Sequence, residues 1–591
     1  MNRRFYLFLL LAGLFLITAC GKNSKTTTVD FKRTDNTVLV RLRVEPDRLN
    51  PVLATSNYAT QVNSQIFLSL LTADPYSYEI TPLLAKARPV VADITDGPYQ
   101  GGVTYTFEIH DEAVWDNGAP VTAQDYIFTL KAALNPRVQA QRLRPYLAFI
   151  KDVRVDASNP KKFTVFTDEK YILGEEAVGA ALGLLPEYVY DSQGLMRTIP
   201  LTDLTDFEKA ETIAASNQAL QQFAEAFNSP QFSREKGYVV GCGPYQFEGW
   251  ETGQRITLSK KPNWWGDKLA RKYPALRALP ERLEYRPVPE AATALAALKA
   301  EELDAMSEID VKDFIEVRDA AFTQERYNFF TPPALAYVGL YLNNKNPKLN
   351  DKRVRRAIAH AIHVDEIIET VYNGFGQRLA VPVNPAADYY DKNLRPIAFD
   401  INKTKTLLNE AGWKDTNNDG IVDKEINGER VELSLTCFVA ANSETGRNAL
   451  LLAQGTLRQA GINLEIAAKE FSVIMDDVRK ENYEMAAGGR TISPLFWEPK
   501  QDWHSESITG GDNHNKFQNA QADKLIDEIR VTLNDKKRDA LYKQLQAILY
   551  EEQPGVIWFS PTARIAIHKR FDAKPSSITP GYIVSDFDLN L

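Results

Sequence analysis

The stretch GVIWFSPTARIAIH, starting at Gly555, limits the possible folds of this chain more than any other segment. It reads as a pair of late strands rich in β-branched and aromatic residues. The residues before it have a helical pattern: Leu525, Ile526 and Ile529 mark an amphipathic helix from Ala522, and Leu541, Leu545, Ile548 and Leu549 mark another up to Pro554. A strand needs partners for its backbone N–H and C=O groups, so these late strands must pair with segments far earlier in the chain. A discontinuous domain follows.

The earlier sequence supplies such partners. Thr37 to Val44 alternates apolar and polar residues, as does Val103 to Ile109, and both read as strands. Between them, Val62, Ile66, Phe67 and Leu70 share a helical face. Thr122 is placed to cap a helix, with Asp125 three residues on and Val121/Tyr126 as a staple. DKRVRRAIAHAIHVDEIIETVYNGF predicts one helix with Val354, Ala357, Ile358, Ala361 and Ile362 on its buried face, then a second from His363 or Asp365 to Gly374. FDINKTKTLLNEAGW predicts a short helix from about Asn402, stopped by Gly412. Strands and helices alternate without a fixed-period repeat, which indicates α/β lobes and not a solenoid. At 591 residues the chain exceeds one compact core and divides into two or three lobes.

The sequence also carries an address. Arg3 and Arg4 precede an apolar run too short to span a bilayer as a helix, which takes about 20 residues. FLITACGKNSKTTT, from Phe15, then passes abruptly to a polar tether. This is the layout of a secretory signal, and Ile17-Thr18-Ala19-Cys20 resembles the bacterial lipobox. That resemblance implies cleavage before Cys20 and its acylation, so residues 1–19 read as signal and 20–35 as a lipidated tether holding the rest to a bilayer. An ordinary cleaved signal ending near a cysteine is the alternative. No second apolar run is long enough to span. Cys242 and Cys437 then remain, and their separation favours two buried thiols over a disulfide. A net charge of −8 argues against a binder that tracks nucleic-acid phosphates.

Several segments, in order, resemble the extracytoplasmic solute-binding proteins of ABC importers, specifically the peptide/nickel-type family. They are LNPVLATSNYATQVNSQIFLSLL, TPLLAKA at Thr81, FEIHDEAVWDNGAPVTAQDYIFTL, GCGPYQFEGWETGQRITLSKKPNWWGDK from Gly241, LYLNNKNPKLNDKRVRRAIAHAIHVDEII, SESITGGDNHNKFQNAQADKLIDEI and YKQLQAILYEEQPGVIWF. Asn117-Gly118 replaces the family's Asp-Gly turn, Cys242 stands where Thr is usual, and Trp264-Trp265 replaces Tyr-Trp. The resemblance implies an α/β fold of the type II periplasmic binding protein class, with three lobes, one discontinuous, closing around an interlobe ligand cleft. The expected borders are 36–75, 183–308 and 556–591 for lobe I, 76–182 for lobe II and 309–555 for lobe III. It further implies capture of a solute, foremost a peptide, without covalent chemistry or cofactor, and delivery to an ABC permease complex in the membrane. A receptor for oligosaccharides on the same scaffold, an anchored hydrolase and a helical-repeat glycan binder are the other readings.

Peptide-binding relatives carry a Trp-x-Ala-Asp-Tyr element whose aspartate pairs with the peptide amino terminus. The corresponding stretch here is YEMAAGGRTISPLFWEPKQDWHS, with Arg490 where Trp is usual and Ser493 near the expected aspartate. An arginine there favours an anion and opposes an ammonium, although Asp502 or Glu498 can substitute as acceptors. Trp497 and Trp503 are candidate stacking surfaces, and Tyr337 and Asn57 complete the expected ligand-binding set. Each also has a plain packing reading. DTNNDGIVDKE, from Asp415, copies the first half of a calcium loop but has Ile426 where a bidentate glutamate is required, so a structural turn is favoured. His360 and His363 have no third metal ligand nearby, so packing or surface is favoured for them; His504 and His514 sit in a loop and could join a metal-chelate site, since nickel receptors belong to the family, although a non-metal reading is favoured. No nucleophile elbow, P-loop or dinucleotide fingerprint is present.

Overall fold

The computed structural model describes residues 31–590 except 494 and 510, so the signal and Cys20 lie outside the described residues. Residues up to Asp35 form one unit, in whose described part Arg33 pairs with Asp35 at 2.9 Å. All that follows concerns the second unit, from Asn36 onward.

Three sheets of four or more strands organise this unit. A seven-stranded sheet runs in the order Tyr327–Phe330, Ile565–His568, Ala305–Met306, Thr37–Leu42, Arg282–Pro287, Arg255–Lys260, Tyr245–Glu251. A six-stranded sheet runs Gly376–Arg378, Gly555–Pro561, Ala336–Leu342, Met485–Thr491, Ser434–Ala440, Asn463–Lys469. A four-stranded sheet runs Val90–Asp93, Val103–Glu108, Asn159–Thr167, Ile150–Asp156.

The two late strands do find early partners, and they part company to do so. Gly555–Pro561 pairs antiparallel with Ala336–Leu342, whereas Ile565–His568 pairs with Ala305–Met306 and Tyr327–Phe330 in the other sheet. The chain therefore crosses between sheets within residues 562–564. Two of the expected lobe borders meet structure here. Residues 311–330 lie beyond the border at 309, yet Phe314, Val317 and Tyr327 pack with Leu298 and Ala566 beside the seven-stranded sheet. The strand Gly555–Pro561 straddles the border at 556 and sits in the six-stranded sheet. Pairing partners and apolar faces decide both placements.

Local features follow the expected chemistry. Asp125 accepts a hydrogen bond from the Thr122 N–H at 2.8 Å and closes a capping box on the helix Ala123–Leu134. Ser56 caps the helix Asn57–Ile66, leaving Leu70 outside it but fully buried. Helices span Lys352–Ala361 and Val364–Val371, and the second is capped by His363, whose Nδ1 accepts from the Glu366 N–H at 3.0 Å. In the GCGPY segment, a Cβ on Gly241 would lie 2.2 Å from the Ile66 carbonyl oxygen, and one on Gly243 2.6 Å from it, so both positions require glycine. The indoles of Trp264 and Trp265 both donate to the Cys242 carbonyl, at 2.9 and 3.0 Å, and fix this turn against the lobe. Cys242 and Cys437 are free and buried, and burial pushes both thiols up to about 12.

The seven-stranded sheet is tied across its discontinuity by a buried ion pair. Arg570 donates to Asp304 at 2.7 and 3.0 Å, and the same carboxylate accepts the Leu39 N–H at 2.8 Å. Both side chains are 2% exposed. Segments from three distant parts of the sequence meet at this point.

Candidate functional site

A cavity of about 490 Å³ opens between two walls of different origin. One wall comes from segments flanking the four-stranded sheet and presents Pro145, Tyr146, Tyr171, Leu173 and Glu176. The other comes from the end of the strand Met485–Thr491 and the segment after it, with Tyr337 from the neighbouring strand and Arg530 from the helix Ala520–Val531. Its size falls within the range of about 300–1,000 Å³ usual for small-ligand sites. The walls touch at one edge. There the Ile172 N–H donates to the Arg530 carbonyl at 2.7 Å, and the Arg530 guanidinium lies 5.4 Å from the Tyr171 ring centroid.

Six of the seven expected ligand-binding residues line this cavity: Tyr337, Arg490, Ser493, Trp497, Asp502 and Trp503. Arg490 and Tyr337 face each other across paired strands. Asn57 does not join them. It lines a second cavity of about 860 Å³, between the helix Asn57–Ile66 and residues 561–564 and 577–584, which meets the first at Thr491 and Ile492.

Arg490 is held by two carboxylates, Asp502 at 2.7 Å and Asp512 at 3.1 Å. Its positive charge is therefore already balanced, contrary to the expectation of an arginine left open for an anion. Asp502 gains less. Its Oδ1 is sealed from solvent and lies beside Arg490 without hydrogen-bond geometry. Burial pushes this carboxyl up to about 7, against the pull of Arg490 and with a further push from Asp512 and Glu498. Glu498 is raised by burial too, opposed by Arg530, whose Nε donates to it at 3.2 Å.

The two tryptophans are largely packed. Trp503 is 2% and Trp497 6% exposed, and Trp497 stacks on Tyr542 with centroids 5.7 Å apart, while the Tyr542 hydroxyl donates to the Trp497 carbonyl. They offer the cavity an edge and not an open face. Ser493 Oγ accepts from the Leu495 N–H at 3.4 Å.

Residues that sequence motifs did not single out complete the site: Tyr146, Tyr171, Glu176 and Arg530. Glu176 is the most unusual. Its Oε2 is sealed from solvent with no hydrogen-bond partner, and burial pushes its carboxyl up to about 7.

The residues of the competing motifs make the following contacts. In the calcium-like loop, Asp415 accepts the N–H groups of Asn418 and Gly420, and Asp423 takes Thr416 and Arg430. The His504 Nδ1 accepts from the Glu506 N–H at 3.1 Å, and the His360 Nδ1 lies 2.8 Å from the Ala398 carbonyl. Burial lowers His514 to about 4. Among the described residues no group of three or more His, Cys, Asp or Glu side chains is placed to hold a metal.

Sheets joined by crossing segments, with a charged and aromatic cavity between their appendages, define a solute receptor of the binding-protein class. Residues 79–503 match the family described as bacterial extracellular solute-binding proteins, family 5 (middle), and the chain belongs to that family. It is 25% identical over 537 residues to the oligopeptide-binding protein AppA of Bacillus subtilis, covering 89% of this chain and 87% of that one. It is 22% identical over 603 residues to heme-binding protein A of Haemophilus influenzae, covering 98% and 96%. Among solved structures, AppA of Bacillus subtilis in complex with a nonapeptide superposes with a TM-score of 0.62 at 22% identity, over 95% of this chain and all (100%) of that one. NikA of Brucella suis in complex with Fe(III)-EDTA superposes with a TM-score of 0.71 at 18% identity, over 94% and 100%. The fold is that of the type II periplasmic binding proteins. No helix among the described residues is long and apolar enough to cross a membrane.

Proposed function

We propose that this chain captures a peptide in the cavity between Tyr146/Tyr171/Glu176 and Arg490/Asp502, and hands it unchanged to an ABC permease. The observation that carries this reading is the cavity itself: two walls from different sheets, joined at Ile172–Arg530, that enclose paired but incompletely satisfied charges. Relatives named for oligopeptide and dipeptide binding support a peptide over a sugar. We assign the four-stranded sheet to one lobe, the six-stranded sheet to a second and the seven-stranded sheet to a third, with the crossing at residues 562–564 as one hinge strand. The first two close on the ligand.

Ligand drives closure by the difference between its affinities for the closed and open forms. A micromolar ligand supplies about −8 kcal/mol, ample if most contacts exist only when the walls meet. The family's non-covalent capture of its solutes supports release of the bound solute unchanged. Acylation of Cys20 holds the receptor beside its permease and raises the frequency of encounter.

The test is a titration of tryptophan fluorescence with defined tetrapeptide mixtures, followed by chromatography of the recovered ligand. A saturable change with every peptide recovered whole supports the reading. Steady accumulation of shorter fragments replaces the receptor with a peptidase.

A further inference from the structure

Three carboxyl groups line the cavity, and they differ in what stands against them. Asp502 has Arg490 at 2.7 Å, and Glu498 has Arg530 at 3.2 Å. Glu176 has no ion pair or side-chain hydrogen bond among the described residues, and its Oε2 is sealed from solvent. Its neighbour in sequence sharpens the contrast. Glu175 is clamped by Arg88 through two bonds of 2.7 Å each, so the helix Gly174–Gly179 carries one satisfied and one vacant carboxyl side by side.

A carboxyl group buried without a partner costs stability when ionised, and such a cost persists only where something else holds the group there. No charged side chain shifts the Glu176 carboxyl, which is raised by burial alone. Tyr146 senses Glu176 and Glu498 together, and both raise its hydroxyl further after burial. Arg142 acts on Tyr146 from the other side, lowering its hydroxyl, and donates to the Ala54 carbonyl at 3.0 Å; the two arginines that line the cavity, Arg490 and Arg530, are engaged by Asp502, Asp512 and Glu498. A cation that pairs with the ionised Glu176 would therefore be brought by the ligand.

We infer that Glu176 anchors an ammonium group of the ligand, and that the cavity selects ligands carrying such a cation at this end. This rests on the solute-capture reading above and adds the residue that sets its specificity. The ammonium belongs either to a free peptide amino terminus or to a lysine side chain; guanidinium is not required. On binding, Glu176 passes from protonated to ionised near neutral pH, where burial alone holds its carboxyl at about 7, and a proton leaves to solvent. Arg490, held by Asp502 and Asp512, borders the rest of the ligand.

Two sets of probes separate this inference from the peptide reading. Glycinamide and its neutral counterpart N-acetylglycinamide are titrated calorimetrically at pH 7 in two buffers of different ionisation enthalpy, against wild type, E176Q, E176D and E175Q. Glycinamide should bind wild type with proton release. It should bind E176Q at least tenfold more weakly and without proton release, with E176D recovering part of both and E175Q behaving as wild type. N-acetylglycinamide should not distinguish E176Q from wild type. Equal glycinamide binding by E176Q, or none by wild type at millimolar concentration, overturns the anchor. The second set is a tetrapeptide mixture in three forms: free, N-acetylated, and N-acetylated with one lysine. Preference for the free form assigns the amino terminus, and preference for the last assigns the side chain. If no peptide binds while glycinamide behaves as expected, the peptide reading falls and the anchor stands. If peptides bind E176Q as tightly as wild type, the anchor falls and the reading stands. Melting curves of all variants, expected within a few degrees of wild type, establish that each is folded.

Discussion

Two arginine–aspartate pairs in this molecule meet opposite fates. At Arg570–Asp304, the carboxylate accepts two bonds from one guanidinium and a third from the Leu39 N–H, and both partners are 2% exposed. At Arg490–Asp502, one guanidinium is divided between two aspartates, and the more deeply placed carboxyl keeps an oxygen without a directed bond. The first pair is complete without any ligand. The second is balanced in charge but unfinished in geometry. A charge that serves the fold is saturated by the fold, whereas a charge that serves binding keeps capacity in reserve.

This difference predicts opposite consequences for the same chemical change. Asp304→Asn removes a fully buried counter-charge and should cost roughly 3–5 kcal/mol of stability, read as a lowered midpoint in denaturant titration. Asp502→Asn should leave that midpoint within about 1 kcal/mol of wild type, because its ionised form gains little in place. Its cost should fall on ligand affinity instead, about 10- to 100-fold, measured by calorimetry. Equal destabilisation by both changes would erase the distinction.

A smaller effect concerns pH. Burial raises the folded-state Glu176 carboxyl from its ordinary 4.5 to about 7. Between these values the folded chain holds a proton that the unfolded chain has released, so stability falls as pH rises through that window. A tenfold difference in proton affinity between the folded and unfolded chain corresponds to about 1.4 kcal/mol. The ligand-free protein should therefore lose roughly 3 kcal/mol from this group as pH rises through that window, and no more above it. E176Q should flatten that portion of the slope. An unchanged slope in E176Q denies that this carboxyl is unsatisfied.

The smallest expected effect is none. Asp415 and Asp423 are already occupied by backbone N–H groups, Thr416 and Arg430, so millimolar calcium or a chelator should leave the melting temperature unchanged. A rise of several degrees with calcium would reopen this loop as a metal site.

Much of this architecture was legible in the sequence where local chemistry is stereotyped. The capping box at Thr122/Asp125 and the need of the late strands for early partners both turn on backbone groups that have few ways to be satisfied. The split of those late strands between two sheets was not legible, because pairing choice depends on which edge the rest of the fold leaves open. In the cavity, the registration of the GGR stretch brought Arg490, Ser493, Trp497, Asp502 and Trp503 to one place, as they lie on one continuous segment. Asn57 lies on a segment distant in sequence and lines a different cavity. Glu176 escaped notice for a further reason. Side by side in the sequence, Glu175 and Glu176 look alike, and only the fold gives Arg88 to one while leaving Oε2 of the other without a hydrogen bond among the described residues.

The central claim is that the unfinished charges between the two walls mark where an intact solute is held. A native mass spectrum of the protein purified without denaturation tests this most directly, with wild type, D502N and E176Q compared at equal concentration. The account predicts a discrete adduct of peptide mass on wild type that is strongly depleted in both variants. An adduct of undiminished intensity on D502N and E176Q would place the ligand elsewhere and contradict it.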